Sequence, residues 1–323
     1  MSARTSPGPT TLRRIVELAC RAPSIHNTQP WLWRISDTRI DLYGDPTRQL
    51  PVADSRGRSL TVSCGAALHH AQVAADAVGL DARVARLPTP GSHDHLATID
   101  LAPGRRSAHA TADLRALERR RTDRSRFTSW PMSDERLAAL SRAVSRDGVQ
   151  VVPMTNVSER FRLEFLLRRA IARESSDPRY DEEQRQWIDR SPADGIPSAA
   201  VCAGADPRPR MSRFTSHDPM DLDELVQSSD GLLLISTEED DRAAWLQAGE
   251  VLSAAWLRAT TDGLSVVPLS QVVEIEETRL ALTHELLGGR AAPQALLRIG
   301  WQEIGHSTRP LTPRRPVDDV LIT

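Results

Sequence analysis

The residues with the clearest potential for chemistry form a short polar turn near the N-terminus, between Pro23 and Trp31. Pro23 should end the helical pattern before it, because the residue preceding a proline is disfavoured in the helical region. The turn then supplies hydroxyl and amide hydrogen-bonding groups from Ser24, Asn27, Thr28 and Gln29. Two interpretations are open: a stiff turn that presents hydrogen bonds to a flat ligand, or a helix-to-strand connection whose polar groups satisfy its own backbone.

Two groups of arginines could hold an anion. The segment 119–127 reads RRRTDRSRF, and the segment 312–320 reads TPRRPVDDV. All 41 basic residues of the chain are arginine, so a bound phosphate would be held by arginine side chains, hydroxyl groups and backbone amides rather than by lysine. The alternatives are a solvated helix end for the first segment and an ordinary charged tail for the second.

The composition narrows the class of protein. A chain of 323 residues with a net charge of −2 has no bulk basicity that would attract nucleic acid or anionic membranes. It has no apolar run long enough to span a bilayer and no signal-peptide pattern, so we expect a soluble, cytoplasmic protein. Its three cysteines are widely spaced, which argues against disulfides and structural zinc, and we predict no metal site.

Hydrophobic periodicity predicts a mixture of helices and strands. Helices are expected at 11–21, 57–78, 112–121, 133–144 and 158–173. Strands are expected at 31–35, 39–43, 83–87, 96–101 and 231–236. The polar turn would therefore connect the first helix to the first strand.

A helix that ends in Gly-Leu occurs twice in the chain. Gly65, Leu68, Gly79 and Leu80 recur as Gly249, Leu252, Gly263 and Leu264, at a constant offset of 184 residues. A strand pattern follows each copy, at 96–101 and 295–300. The match is either a coincidence between two apolar helices or one ancestral unit used twice. The second interpretation predicts an N-terminal half at 1–110 and a C-terminal half at 111–323.

A proline-rich stretch from about 174 to 229 interrupts the second half. It is rich in Asp, Arg and Ser, and such a long irregular excursion is typical of a functional lid or of a disordered insert. Apolar residues such as Trp187 and Ile196 could dock it on the rest of the protein. We therefore predict a lid.

The polar turn resembles the hallmark loop of the FMN-dependent nitroreductase superfamily, Pro-Ser-x-x-Asn-x-Gln-Pro-Trp, and the whole chain is most similar to the two-repeat, Acg-type nitroreductase-like proteins of mycobacteria. The resemblance implies FMN as cofactor. It assigns the FMN contacts to Pro23, Ser24, Ile25 and Asn27 in the turn, to Arg120, Arg121, Thr122 and Arg124 in a phosphate and ribityl clamp, to Val267, Pro268 and Leu269 beside the flavin ring, and to the C-terminal pair Arg314 and Arg315.

The same resemblance implies the fold. It predicts an α+β protein with a mixed antiparallel sheet flanked by helices, in which two tandem repeats form an intramolecular pseudo-dimer. The polar turn comes from the first half and both arginine elements from the second, so their parts suffice for one FMN site. The molecule would be a monomeric pseudo-dimer or a homodimer of these.

The resemblance also implies an activity. NAD(P)H would reduce the flavin at N5 by hydride transfer, and a flat acceptor such as a nitroaromatic or a quinone would then be reduced. The family pattern contains no obligatory acid or base, so no catalytic side chain is predicted. Two departures from many relatives concern Arg124, which stands in place of lysine, and the segment 263–270, where many relatives place an acidic residue and glycine beside N5. The alternative function is a non-catalytic protein that stores FMN beneath the lid.

Overall fold

The computed structural model describes residues 7–122, 127–198, 230–301 and 312–323. Within the described residues, the first half contains two helices and one antiparallel sheet of four strands, in the order β1-β2-β4-β3. Its elements are α1 (Pro9–Ala19), β1 (Trp31–Ser36), β2 (Arg39–Gly44), α2 (Arg58–Ala77), β3 (Leu80–Arg86) and β4 (His95–Pro103). The helix α3 (Ala110–Arg119) begins at the predicted boundary and leads into the second half. Short 3-10 turns occur at Ile25–Asn27 and Pro46–Arg48.

The second half contains another antiparallel sheet of four strands, in the order β5-β6-β8-β7. Its elements are α4 (Asp134–Val144), β5 (Val149–Pro153), α5 (Val157–Ser175), α6 (Pro178–Arg185), β6 (Gly231–Thr237), α7 (Arg242–Thr261), β7 (Leu264–Pro268), α8 (Gln271–Glu274), α9 (Glu276–Glu285) and β8 (Ala292–Trp301). The prediction of an α+β protein with antiparallel sheets and flanking helices is confirmed.

An aspartate accepts hydrogen bonds from backbone N–H groups at the start of each of the two long helices, α2 and α7. The carboxylate of Asp54 accepts hydrogen bonds from the backbone N–H groups of Ser59 and Leu60 at 2.9 and 2.8 Å, at the start of α2. Asp241 caps α7 by accepting from the backbone N–H of Ala244 at 2.8 Å. Such caps satisfy N–H groups that have no partner within the helix, which fixes where each helix begins.

The helices α2 and α7 pack against each other at two glycines. A Cβ atom on Gly65 would overlap the carbonyl oxygen of Leu246, and one on Gly249 would overlap that of Val62. Close to this contact, His69 Nδ1 lies 2.9 Å from the hydroxyl of Ser253, a residue 184 positions later. Small residues allow the two backbones to approach closely, so a β-carbon at either glycine is excluded.

The two halves share more than this contact. The offset of 184 residues relates the first and last residues of α2 to those of α7, and the two sheets have the same strand order. Each sheet also has a register irregularity in its second strand, at Leu42/Tyr43 in β2 and at Ile235/Ser236 in β6. The tandem repeat and the boundary near residue 110 remain predictions that are compatible with this arrangement.

The C-terminal segment returns to the first half. The backbone N–H of Trp33 donates to the carbonyl of Val320 at 2.7 Å, and the N–H of Ile322 donates to Trp33 at 2.8 Å. Arg13 reinforces this edge through two hydrogen bonds to the carboxylate of Asp318, at 2.7 and 2.9 Å. The chain end therefore lies along β1, close to the polar turn that precedes β1.

Several elements differ from the sequence-based expectation. The first helix ends at Ala19 rather than at residue 21, before Pro23 can restrict it. β5, β7, α6, α8 and α9 were not predicted; each has ten residues or fewer, which leaves little room for a periodic signal. None of the helices that the structure describes has the length and apolarity needed to cross a bilayer.

Candidate functional site

A pocket lies where the polar turn meets α2 of the first half and α7, β7 and β8 of the second. It is partly open to solvent, and the space between its walls, including the solvent at its mouth, is about 1020 Å³. Seven of the predicted site residues line it: Pro23, Ser24, Ile25, Thr122, Val267, Pro268 and Leu269. The sequence therefore predicted two of its walls, although these are more than 240 residues apart in the chain.

The polar turn has an unusual backbone. His26, Asn27 and Gln29 have φ values of 45°, 55° and 48°, in the left-handed region that side chains other than glycine rarely occupy. The turn is held by a hydrogen bond from the N–H of Gln29 to Ser24 Oγ at 2.9 Å and by one from the N–H of Ile25 to Ser63 Oγ at 3.1 Å. Local strain of this kind persists where the surroundings fix a functional geometry.

Asn27 lies behind the pocket wall rather than in it. Its Nδ2 donates to the carbonyls of Gly195 and Pro313 at 2.8 and 3.0 Å, and its Oδ1 accepts from Arg314 at 3.0 Å. The side chain of Gln29 similarly accepts from the backbone N–H of Arg315 at 2.8 Å. The two amides join the turn to the C-terminal segment, so Asn27 positions an arginine in this structure.

Arg120, which is buried, and Arg314, which is partly buried, form a cationic cluster beside the pocket. Nη2 of each donates to the carbonyl oxygen of Arg21, at 3.0 Å from Arg120 and 3.2 Å from Arg314. The guanidinium of Arg120 lies 4.8 Å from the ring centre of Trp256, which lines the pocket. The cluster therefore adjoins the pocket through one aromatic ring.

The cluster lacks a balancing negative charge among the described residues. The charged groups that act on Arg120 are Arg314 and Arg21, and Nε of Arg120 and of Arg314 has no hydrogen-bond partner in the described part of the chain. Burial and these like charges lower the pKa of Arg120 well below its usual value. Burial, followed by the charge of Arg21, lowers the pKa of Arg314 to about 10. A buried positive charge without a counterion is costly, so this arrangement suits an anion.

The remaining predicted arginines are placed differently. Arg315 donates from Nη1 to the carbonyl of Gln29 at 3.2 Å and from Nη2 to that of Asp319 at 2.7 Å, and thus anchors the chain end. Arg121 is partly exposed, and Arg124 lies outside the described residues. Of the C-terminal pair, Arg314 is the residue that joins the cationic cluster.

The strand end at 267–269 has fewer backbone N–H groups available to a ligand than the resemblance implies. Pro268 has no N–H, and the N–H of Leu269 donates to the carbonyl of Leu296 at 2.8 Å. A backbone hydrogen bond from this strand end to a ligand would therefore come from a neighbouring residue. Ser270 and Gln271 continue the same pocket wall.

Sequence reasoning missed several polar residues of the pocket. They are Arg58, Ser59 and Ser63 on α2 and Gln294 on β8. Arg58 donates to the carbonyls of Val273 at 2.8 Å and Pro293 at 3.3 Å, and burial, together with the charge of Arg279, lowers its pKa to about 10. The sequence signal that could have identified the residues on α2 is an arginine and two serines in an otherwise alanine-rich helix.

The described part of the predicted lid packs against the first half and does not line the pocket. Glu183 accepts from the backbone N–H groups of Val52 and Ala53 at 2.7 and 2.9 Å. Trp187 is buried against Leu50 and Ala53. Residues 174 and 175 belong to α5, none of residues 174–198 lines the pocket, and 199–229 lie outside the described residues.

Glu183→Ala should loosen this docking. It would leave the buried N–H groups of Val52 and Ala53 without an acceptor, at a cost of about 1–3 kcal/mol, so their hydrogen exchange should become roughly 10- to 100-fold faster. Native-state exchange read by NMR measures both amides. Glu182→Ala is the control, because Glu182 is exposed and pairs with the exposed Arg185. Equal exchange rates in the two variants would contradict the docking role.

Within the described ranges, no group of three or more His, Cys, Asp or Glu side chains could hold a metal ion. Among the described residues, the pocket and the adjacent cationic cluster are therefore the features best suited to bind a ligand. They can enclose a flat, partly apolar group and an attached anion.

Comparisons with known proteins give relatives along the full chain. No protein-family model matches it. The chain is 37% identical over 319 residues to "Putative NAD(P)H nitroreductase Rv3131" of Mycobacterium tuberculosis, covering 98% of this chain and 92% of that protein. It is 34% identical over 322 residues to "Putative NAD(P)H nitroreductase acg" of the same organism, covering 96% and 94%.

Among solved structures, the chain is similar to the FMN-dependent nitroreductase NfnB of Mycobacterium smegmatis in complex with NADPH. The sequence identity is 15% and the TM-score is 0.44, and the match covers 66% of this chain and 98% of that one.

Proposed function

Because this chain belongs to the family of Acg-type nitroreductase-like proteins, we propose that it binds FMN and acts as an NAD(P)H-dependent oxidoreductase. The two relatives are named as NAD(P)H nitroreductases and align with nearly the whole chain, so the proposal covers the entire molecule. The substrate class is a flat acceptor, a nitroaromatic or a quinone.

One observation carries the proposal: a pocket with largely apolar walls adjoins a cluster of arginines that has no counterion among the described residues. FMN combines a flat ring with a phosphate, and the two parts match the two features. Arg120 and Arg314 would hold the phosphate, since guanidinium groups form strong charge-assisted hydrogen bonds to phosphate oxygens. The pocket would hold the ring.

The protein's own contribution is binding and orientation. When bound, FMN supplies the hydride chemistry, accepting hydride from NAD(P)H and passing it to the acceptor in ping-pong order. The side chains of Ile25, Val62 and Leu252 give the pocket apolar walls, which exclude water from the ring faces. The strained turn fixes Ser24 and Ile25 in the wall. We assign no acid or base to the chain.

The proposal includes one FMN per chain in a fused pseudo-dimer. The offset of 184 residues relates Ala66 and Ser270, which line the pocket, to Glu250 and Arg86 in the other half. Glu250 is 1% exposed and accepts from Arg86 Nε at 2.6 Å and from Gln72 Nε2 at 2.9 Å. A buried charged network thus occupies the counterpart of the pocket, which supports a single site.

The alternative of an FMN-storage protein depends on a cover over the pocket. The described part of the excursion, up to residue 198, packs on 50–53 and on the back of the polar turn. This packing does not support a segment that covers the pocket, so we favour an oxidoreductase over a storage protein.

The visible absorption spectrum of the purified protein, before and after anaerobic addition of NADPH, tests the proposal. We expect a flavin spectrum, one FMN per chain on release by heat, and bleaching within seconds because the hydride donor reaches the ring. Bound flavin that remains yellow would instead indicate storage. If the protein neither contains flavin nor binds added FMN, the assignment of the pocket is wrong, and two FMN per chain would refute the single site.

A further inference from the structure

We propose that the acidic segment 218–226 of this chain docks on an exposed apolar face of α5. The face consists of Val157, Phe161 and Phe165, and the segment lies outside the described residues. None of these three side chains lines the pocket. The inference therefore goes beyond the proposed FMN site and concerns a second surface of the molecule.

The described residues leave the apolar face of α5 open to solvent. Val157, Phe161 and Phe165 are 62%, 58% and 62% exposed, although the chain has only four phenylalanines. They are spaced four residues apart, so they lie on one side of the helix, while Leu163 and Leu167 on the inner side are buried. A row of large exposed apolar side chains is typical of a surface that binds another segment.

Arginines accompany the apolar face. Arg162, Arg169 and Arg173 are exposed and lie seven and four residues apart, so they form a row along one flank of the helix. Arg169 pairs with Glu277 of α9, whereas two of the three glutamates of α5 are buried. The charge beside the apolar face therefore favours a partner that is both apolar and acidic.

The segment 218–226 has the complementary composition. It reads DPMDLDELV and contains four acidic residues and no basic one. Its two leucines and its valine are spaced i, i+3 and i+4, as on one face of an amphipathic helix. The other long stretches outside the described residues are less suitable, because 199–217 contains three arginines and 302–311 contains a single acid.

The residue that follows this stretch of the chain lies beside α5. The carbonyl of Asp230 accepts a hydrogen bond at 3.0 Å from Nη1 of Arg160, the residue before Phe161. Val226 precedes Asp230 by four residues, so even a fully extended chain places it at most about 14 Å away. A short connection gives a high effective concentration at the face. A second copy of the chain lacks this advantage, so the segment of the same chain is the favoured occupant.

Hydrogen exchange of the full chain, read by mass spectrometry of peptides that cover 218–226, tests the inference. These amides should exchange at least about tenfold faster in Phe161→Ser/Phe165→Ser than in the wild type, because the segment loses the side chains on which it packs. Val78→Ser, which removes an exposed apolar side chain at the end of α2, is the matched control and should change nothing. Peptides from β6 should exchange alike in all variants, which shows that the fold is retained.

The charge of the flank is tested in the same way. Arg162→Glu/Arg173→Glu should make the amides of 218–226 exchange about twofold to fivefold faster, since the new carboxylates repel the acidic segment. Arg142→Glu, at an exposed position on α4, is the control and should leave the exchange unchanged.

A photocrosslinker, p-benzoylphenylalanine in place of Phe165, identifies the occupant. We expect a crosslink within one chain to a peptide that contains 218–226. A crosslink between two chains would overturn the inference and assign the face to a second copy, and a crosslink to another peptide, or none, would overturn it as well. Equal exchange of 218–226 in the wild type and in Phe161→Ser/Phe165→Ser would refute the docking, and none of these outcomes bears on FMN binding.

Discussion

Arg120→Met should weaken FMN binding by about 10- to 100-fold, or about 1.5–3 kcal/mol, while leaving the apo-protein as stable as before to within about 1 kcal/mol. The loss follows because Arg120 would donate charge-assisted hydrogen bonds to the phosphate. The apo-protein should tolerate the change because Arg120 is only 6% exposed, so an apolar side chain suits its surroundings. The change also removes the repulsion between Arg120 and its neighbours Arg314 and Arg21. Removing one of several like charges offsets the lost hydrogen bond to Arg21 and the lost contact with Trp256.

Two measurements are needed for this prediction: the dissociation constant of FMN and the urea midpoint of the apo-protein. Arg142→Met is the control, since Arg142 is exposed on α4 and should change neither value. Unchanged FMN affinity in Arg120→Met would remove the cluster from the phosphate site. A large loss of apo-stability with unchanged affinity would make Arg120 a purely structural residue. The resemblance also predicts weaker FMN retention for Arg124→Ala.

Gly65→Ala and Gly249→Ala should each destabilise the protein by about 3 kcal/mol or more, at the upper end of the effects of overpacking. Each new methyl group would overlap a carbonyl oxygen of the facing helix, Leu246 for the first variant and Val62 for the second. A backbone carbonyl cannot rotate away as a side chain can, so α2 and α7 would have to separate. The pocket, which both helices line, would be lost with that contact.

Thermal unfolding and FMN titration of the same samples measure this effect. Gly8→Ala is the matched control, because a Cβ atom there has nothing within 4 Å and should change the stability by less than about 1 kcal/mol. If both central variants unfold like the wild type, the close packing of α2 on α7 is not present in solution. If only one is destabilised, the two glycines are not equivalent.

The order of the main elements could be predicted from the sequence because their signals are local. The apolar stripe of α1, Pro23 after it and the hairpin of β1 and β2 each depend on neighbouring residues alone. The offset between α2 and α7 was also visible, since both helices keep the glycine that their contact requires. The motif of the polar turn indicated the pocket because its prolines and its tryptophan form one rigid unit.

The different roles of residues within the same motif could not be predicted in this way. Asn27 and Arg315 belong to the same patterns as Ser24 and Arg314, yet they join the turn to the chain end instead of lining the pocket or the cationic cluster. Which of two adjacent arginines joins the cationic cluster depends on the path of the C-terminal segment along β1. That path is set by contacts nearly 290 residues apart in the chain.

The sequence by itself determined the helix and strand pattern, the family and the types of residue that bind an anion, because these follow from periodicity and from short motifs. Only the tertiary structure decided that Arg120 and Arg314 share one carbonyl, and that Asn27 joins the polar turn to Pro313. The physical reason is that burial and the absence of a partner are properties of packing. Whether a side chain is buried, or lacks a partner, depends on residues that are distant in the sequence. No local sequence pattern therefore predicts either property.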